Sequence, residues 1–262
     1  MAICNVTPDS FSDGGEHYSV TLAVQYAESA LRDGATLFDV GGESTRPGAR
    51  PVAVELELAR VLPVIAAVHE RVPELIISVD TVKATVAEAA LDAGAKVVND
   101  VSGGRLDARM FEVMARSGAG VVLMHSRGAA VEELASYAMS AYGNDVTQDV
   151  CDALSVRVDE AMAAGILRES IVLDPGLGFS KTSAQSITLL RELARVGALG
   201  YPLLVGASRK RFIGELTDVP SPSQRVSGSV AAHLLAVQRG AAIVRTHDVA
   251  ATSEALKVLT AL

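Results

Sequence analysis

The chain has 262 residues, of which 49% are hydrophobic and only 4% aromatic, so it can bury one large aliphatic core. Its formal net charge is −8 and its basic residues form no block, which argues against a nucleic acid or an anionic membrane as the main partner. The two cysteines, Cys4 and Cys151, have no metal-ligand spacing, and no apolar run approaches the length of a membrane span. Since the N-terminus also has no signal-like pattern, we expect a cytoplasmic protein.

Short apolar runs alternate with longer stretches of helical periodicity along the whole chain. The predicted strands are Ala2–Asn5, Thr36–Val40, Leu75–Asp80, Lys96–Asp100, Gly120–His125, Ile171–Asp174, Leu203–Gly206 and Ala242–Thr246. The predicted helices are Val20–Asp33, Val52–Arg71, Lys83–Ala93, Ala108–Ser117, Asp149–Ala164, Ala184–Val196, Gln224–Arg239 and Ala250–Leu262. Strict alternation predicts a parallel sheet, because parallel neighbours need crossover connections.

Eight such units favour a (β/α)8 TIM barrel, in a single domain that spans residues 1–262. An open doubly wound sheet is the alternative. Its usual first turn is a glycine-rich GxGxxG, whereas the first turn here reads TPDSFSDGG. The long segment Ser126–Asn144 is predicted to be an irregular insertion after the fifth strand.

Polar side chains stand at the ends of several predicted strands, where the chemistry of a parallel barrel is found. Asp80, Asn99 and Asp174 each follow an apolar run, so we expect them to converge at one barrel mouth. Two carboxylates and a carboxamide suit a flat heterocycle with adjacent N–H donors, such as an amino-pyrimidinone, and Lys210 could bond its carbonyl. The aspartates could instead cap helices or turns, bind a metal or form an acid–base pair, although no DxD or HExxH spacing is present.

A second group of polar residues follows the eighth predicted strand. Arg245 and His247 are two residues apart, and Asp248 can start the next helix. An arginine, a histidine and a helix N-terminus together favour an anion, most simply a phosphate or a diphosphate. The alternative is a surface arginine beside a histidine whose hydrogen bonds are already satisfied.

Two loops, TPDSFSDGG and GGESTRPGA, are longer than simple connections require. Loops of this kind at a barrel mouth can close over a reacting centre and exclude water. Phe11 lies among polar neighbours, so we expect it to meet a ligand rather than to join the core.

A series of motifs resembles those of the dihydropteroate synthases, in order and at similar spacing from Asn5 to Val249. The motifs read NVTPDSFSDGG, DVGGESTRPGA, SVDT, VNDVSGG, VLMH, LDPGLGF, GASRKRFIG and RTHDV. The resemblance implies a barrel that joins 6-hydroxymethyl-7,8-dihydropterin diphosphate to p-aminobenzoate, which gives 7,8-dihydropteroate and diphosphate in folate biosynthesis. It also implies Mg²⁺ as a cofactor and a homodimer.

The same resemblance assigns roles to individual residues. Those implied to hold the pterin are Asp80, Asn99, Asp174 and Lys210. Those implied to bind the diphosphate are Asn5, Thr45, Arg245 and His247, with Asn5 also contacting the Mg²⁺. Those implied to form the p-aminobenzoate pocket are Phe11, Thr45, Arg46 and Pro47. Those implied in catalysis are Asp13, Arg46, Lys210, Arg245 and His247.

One departure and two rival functions accompany this resemblance. Arg211 stands where some members of the family have a small hydroxyl residue on the p-aminobenzoate side. A pterin-dependent methyltransferase domain would share the barrel but would lack the STRP and SRK segments, which are both present. A catalytically inactive pterin-binding paralogue would carry a degraded diphosphate or first-loop motif, and neither motif is degraded here.

Overall fold

The computed structural model describes residues 1–6, 16–44 and 51–262, without the side chains of residues 16–19. The strands are β1 (Ala2–Asn5), β2 (Leu37–Gly41), β3 (Ile76–Asp80), β4 (Val97–Asp100), β5 (Gly120–Met124), β6 (Ile171–Asp174), β7 (Leu203–Val205) and β8 (Ala241–Val244). All neighbouring strands pair in parallel, in the order of the chain. A parallel bridge from Ala2 to Thr246 joins the first strand to the residues just after the last, and the sheet closes. The predicted (β/α)8 barrel is therefore confirmed.

The helices follow the strands as expected, with three differences. They are α1 (Glu16–Arg32), α2 (Val54–Arg71), α3 (Ala84–Asp92), α4 (Met110–Ser117), α5 (Val131–Leu134), α6 (Val146–Ala163), α7 (Ser183–Arg191), α8 (Leu193–Gly197), α9 (Arg211–Thr217), α10 (Val226–Gln238) and α11 (Val249–Ala261). Among the described residues, no helix is both long and apolar enough to cross a membrane.

The differences concern short helices. The predicted helix Ala184–Val196 is two helices, α7 and α8, because Glu192 leaves the helical conformation with φ −103° and ψ 19°. The insertion after β5 is not wholly irregular, since it contains α5. Helix α9 was not predicted, because seven residues that begin with Arg211 carry too little periodicity to stand out.

The core lies in two layers. Between the strands and the helices, a continuous aliphatic layer contains fully buried side chains such as Phe38, Ile65 and Leu123. Inside the barrel, Met1, Val122 and Leu204 form a smaller apolar cluster. Because side chains alternate between the two faces of a strand, the positions further along the same lumen-facing rows reach the carboxyl end of the barrel. There the rows become polar, and a cavity opens.

Candidate active site at the barrel mouth

A cavity of about 850 Å³ opens at the carboxyl ends of the strands. Its volume is within the range of small-molecule sites. It is lined by all the predicted site residues that the structure describes, namely Asn5, Asp80, Asn99, Asp174, Lys210, Arg245 and His247. The other predicted site residues, Phe11, Asp13, Thr45, Arg46 and Pro47, lie outside the described residues.

A buried polar network, which we call the floor cluster, is made of Asp39, Asp80, Asn99 and Arg245. The last three line the cavity, and Asp39 is fully buried behind them. The Arg245 Nε donates to Asp39 Oδ2 over 2.6 Å, and its Nη2 donates to Asp80 Oδ2 over 2.8 Å. The Asn99 Nδ2 donates to the same Asp39 oxygen over 3.0 Å. The guanidinium is thus held between two carboxylates from neighbouring strands, which fixes its plane.

Burial governs the charges of the floor cluster. It raises the pKa of Asp80 to about 7, while the charge of Arg245 acts in the opposite direction. Burial also works against the charge of Arg245, yet Asp39 and Asp80 raise the pKa of its guanidinium. The arginine therefore stays a cation, and two of its three nitrogens are already engaged by carboxylates.

Asp39 is a site residue that the sequence analysis missed. Its side chain is fully buried, and its Oδ1 has no hydrogen-bond partner among the described residues. In the sequence it lies inside the apolar run LFDVG, two residues before Gly41. A charged residue in the middle of a short apolar strand is a signal that could have identified it, because such a residue needs a buried partner.

Asp174, at the end of β6, and Lys210, in the segment after β7, also line the cavity. The Gly176 amide donates to Asp174 Oδ1 over 2.7 Å, and Oδ2 has no hydrogen-bond donor among the described residues. Burial raises the pKa of Asp174, while the Gly176 bond and Lys210 lower it. Burial also lowers the pKa of Lys210 to about 8, and its Nζ lies 4.0 Å from the centre of the Phe179 ring. The pair offers an acceptor and a donor to one ligand edge.

The outer wall of the cavity carries a second network, which we call the rim cluster, made of Ser208, Arg209, His247 and Asp248. The Ser208 Oγ lies 2.9 Å from His247 Nδ1 and accepts from the His247 amide over 3.1 Å. The Arg209 guanidinium donates to both carboxylate oxygens of Asp248, over 3.0 and 2.5 Å. These contacts tie the segment after β7 to the segment after β8.

His247 is a neutral group in this network. Burial, followed by the charges of Arg209 and Arg245, lowers the pKa of His247 to about 3. The Ser208 hydroxyl accepts from the His247 amide and can donate its own proton to Nδ1, and in that tautomer the N–H of the imidazole is on Nε2. An anion in this cavity would therefore meet His247 as a neutral hydrogen-bond donor, with Arg245 beside it as a cation.

A third network holds the stems of the segment 45–50, which itself lies outside the described residues. Glu43 Oε1 accepts from the Val52 amide over 2.6 Å, so one side chain joins the two stems. Lys83 Nζ donates to Glu43 over 2.9 Å and to the fully buried Glu57 over 2.5 Å. Glu57 also accepts from Thr81, the residue after Asp80. These four polar side chains were not singled out from the sequence.

The surroundings of Asn5 fit a hard cation such as Mg²⁺. Asn5 lines the cavity at the end of β1, and its side chain makes no hydrogen bond within the described part of the chain. A Cβ at Gly41 would lie 3.4 Å from the Asp80 Cβ and 3.7 Å from both Asn5 Oδ1 and Asp80 Oδ2, so these two oxygens lie close to the same point of β2. The described residues contain no group of three or more His, Cys, Asp or Glu that could hold a metal. Mg²⁺ bound by few protein oxygens usually also uses substrate phosphates and water.

Comparison with known proteins identifies the family of this chain. The family model described as pterin binding enzyme matches residues 1–247. The dihydropteroate synthase of Synechocystis sp. is 45% identical over the whole chain, which covers 89% of that protein. A structure of Xanthomonas albilineans dihydropteroate synthase with 4-aminobenzoic acid is 48% identical in sequence and has a TM-score of 0.91. The match covers the whole of this chain and 91% of that chain. A structure of the same enzyme with 7,8-dihydropteroate is 46% identical and has a TM-score of 0.87. The match covers the whole of this chain and 92% of that chain.

Proposed function

The chain belongs to the pterin-binding enzymes, and from that premise we propose that its barrel mouth is the active site of a dihydropteroate synthase. The reaction joins 6-hydroxymethyl-7,8-dihydropterin diphosphate to p-aminobenzoate and releases diphosphate, a step of folate biosynthesis. The observation that carries this proposal is the convergence of Asp80, Asn99, Asp174 and Lys210 in one cavity, in a chain whose relatives are dihydropteroate synthases over its full length.

We assign the pterin to the part of the cavity that is lined by Asp80, Asn99, Asp174 and Lys210. Its amino-pyrimidinone edge presents adjacent N–H donors, which suit the Asp174 carboxylate already oriented by the Gly176 amide. Lys210 can donate to the ring carbonyl from its place over the Phe179 ring. Asn99, held by Asp39, adds a carboxamide with a fixed orientation. A ring bound in this way has its methylene and diphosphate directed toward the rim.

The leaving diphosphate binds to oriented hydrogen-bond donors rather than to several cations that have no other partner. His247 offers a neutral Nε2–H that Ser208 orients. Arg245 contributes a positive charge whose direction is fixed by Asp39 and Asp80. Donors held in place before the reaction need no reorganisation as charge develops on the leaving oxygen, which is the main way such sites lower a barrier.

The chemical step is a substitution at the exocyclic methylene carbon. The bond from this carbon to the diphosphate oxygen breaks, and positive charge spreads into the pterin ring. The nearby carboxylates of Asp80 and Asp174 stabilise that charge. The arylamine nitrogen of p-aminobenzoate then forms the new bond to carbon and loses a proton. The neutral amine is already the nucleophile, so the site needs no strong base.

Mg²⁺ belongs to the proposal because the oxygens around Asn5 suit it. Asn5 would hold the ion together with diphosphate oxygens, and the ion would neutralise charge on the leaving group. Replacement of Asn5 by alanine is expected to raise the Mg²⁺ concentration needed for half-maximal rate, with pterin binding in the absence of metal unchanged. The same Mg²⁺ requirement in both proteins would contradict this assignment.

The p-aminobenzoate pocket, the assembly and the compartment are further parts of the proposal. On the family resemblance we assign the pocket to Phe11, Thr45, Arg46 and Pro47. The X. albilineans complex with 4-aminobenzoic acid supports the substrate. We also propose a homodimer in the cytoplasm. Sedimentation equilibrium of the purified chain tests the dimer, and a single species at the mass of one chain would contradict it.

The deciding experiment is an assay with the purified protein. Incubation with the pterin diphosphate, p-aminobenzoate and Mg²⁺ is expected to yield dihydropteroate and diphosphate in equal amounts. Competent pterin binding without product would favour an inactive pterin-binding paralogue. Transfer of a methyl group to or from a pterin, with no condensation, would favour a methyltransferase domain.

A further inference from the structure

Lys181 is a fully buried lysine that no step of the proposed reaction uses. Its Nζ lies 2.8 Å from His125 Nδ1, 3.0 Å from the Phe179 carbonyl oxygen and 3.1 Å from the Gly176 carbonyl oxygen. The His125 carbonyl oxygen follows at 3.3 Å. No carboxylate forms a salt bridge with it among the described residues, although lysines are almost never fully buried without such a partner.

The surroundings of Lys181 suit an ammonium ion. Its nitrogen faces four acceptors, and an ammonium offers three hydrogens where a neutral amine offers two. Burial, followed by the charge of Lys181, lowers the pKa of His125 well below its usual value, so the imidazole is neutral. With its proton on Nε2, the imidazole accepts from Lys181 at Nδ1. Burial lowers the pKa of Lys181 well below its usual value, and the negative charge of Asp174 acts in the opposite direction.

The contacts of Lys181 fix the loop that presents the pterin-binding groups. Gly176, whose carbonyl it holds, is the residue whose amide orients Asp174. Gly176 has φ +69°, and a Cβ there would lie 2.0 Å from the His125 carbonyl oxygen, so this close approach requires glycine. Phe179, whose carbonyl it also holds, carries the ring beneath Lys210. Lys181 thus holds both Gly176, which orients Asp174, and Phe179, whose ring lies next to Lys210.

We propose that Lys181 is a positioning residue for pterin recognition, whose ammonium fixes the loop from Asp174 to Phe179 and keeps Asp174 in the carboxylate form. This inference rests on the proposed function. The charged groups that act on Asp174 are Lys181, Lys210 and Arg245. Those that act on Lys181 are Asp174, Arg127 and Lys210, and the neutral His125 contacts it. A carboxylate, unlike a carboxylic acid, accepts from two adjacent ring donors at once.

The test compares two variants of the same loop by calorimetric binding of 6-hydroxymethyl-7,8-dihydropterin between about pH 5.5 and 8.5. Lys181→Met removes the charge. Ser180→Ala removes a neutral anchor, the hydroxyl bonded to Arg127 and Leu134. We expect Lys181→Met to bind about tenfold more weakly than wild type at low pH, with the ratio shrinking as pH rises, since each unit of Asp174 pKa corresponds to a factor of about ten. Ser180→Ala should change affinity by a ratio that is constant with pH.

Each outcome decides a different point. A ratio for Lys181→Met that is constant with pH, or an unchanged affinity, overturns the inference while the proposed function stands. A wild-type protein that binds no pterin at any pH overturns the proposed function and the inference with it. If Lys181→Met does not fold, the ¹³Cε and ¹⁵Nζ chemical shifts of Lys181 in the wild type decide: an ammonium near neutral pH supports the inference, and an amine overturns it.

Discussion

The floor cluster and the rim cluster both contribute side chains to one cavity, but their polar groups are compensated in different ways. In the floor cluster, a cation lies between two carboxylates, and the side chain of Asp39 is 0% exposed. In the rim cluster, the histidine is neutral, and the ion pair of Arg209 with Asp248 is 29% and 15% exposed. The stability of the floor cluster therefore depends on opposite charges that compensate each other. The function of the rim cluster depends on the direction of the hydrogen bond that His247 donates.

Asp39→Ala should have the largest effect, because it leaves Arg245 with one carboxylate instead of two and leaves Asn99 without its acceptor. Breaking a buried charge network by removing one partner costs about 3–5 kcal/mol. We expect that loss in the free energy of unfolding, measured by urea denaturation. Asp248→Ala is the matched control at the rim, where a partly exposed pair should cost about 1 kcal/mol. Equal losses in the two variants would remove the distinction between floor and rim.

Asp174→Asn should weaken pterin binding with little effect on folding. The carboxamide places an N–H₂ or a single oxygen where the ligand presents donors, so at least one hydrogen bond to a charged acceptor is lost. Such a change costs about 2–4 kcal/mol in binding, or roughly a hundredfold in affinity. Calorimetry with the dihydropterin measures it, and the thermal midpoint serves as the folding control. Near-normal kinetics in this variant would contradict the pterin assignment.

The pH dependence of pterin binding above neutral pH should come from the titration of Lys210 and not from that of His247 in the rim cluster. The pKa of Lys210 is lowered to about 8, so its charge is lost as pH rises above that value, and affinity for the dihydropterin should fall about tenfold per unit. His247, with a pKa of about 3, stays neutral across this range and should give no inflection near pH 6.5.

Two variants separate these sources of pH dependence. Lys210→Met should bind weakly at all pH values and lose the alkaline decline. His247→Gln keeps an N–H donor and should retain the wild-type profile. An inflection near pH 6.5 that disappears in His247→Gln would show that the histidine titrates, and the rim would then resemble the floor.

Ser208→Ala tests whether the rim acts through direction. The hydroxyl fixes which nitrogen of His247 carries the proton, and its net value is that of one hydrogen bond, about 1 kcal/mol. We expect kcat/KM to fall about fivefold to tenfold, with unchanged affinity for the dihydropterin that lacks a diphosphate. Ser208→Thr, which keeps the hydroxyl, should restore most of the rate. A loss of the same size in Ser208→Thr would indicate a steric effect instead.

The sequence predicted the frame of the barrel better than the contacts inside it. Short apolar runs indicated eight strands, and the register of β3 with β4 does place Asp80 opposite Asn99, as the strand-end pattern suggested. Asp39 was missed because hydrophobic periodicity treats it as one polar residue in an apolar run. Its partner Arg245 is 206 positions away, and no local pattern can indicate that pairing. Lys181 was missed for the same reason, since its contacts span two loops.

Arg209→Lys, a change within the rim cluster, should have the smallest effect of these variants on the free energy of unfolding and on kcat/KM. Lysine keeps the positive charge next to Asp248 but replaces two parallel hydrogen bonds by one. Arg209 also has φ +58°, a strain that both residues share, so the substitution changes the fork without changing the backbone cost. We expect a loss of about 0.5 kcal/mol in the free energy of unfolding and a change in kcat/KM of less than about threefold. If the loss instead matched that of Asp39→Ala, the Arg209 fork would be as essential to the fold as the buried pair, because the charge alone would then not suffice at the rim.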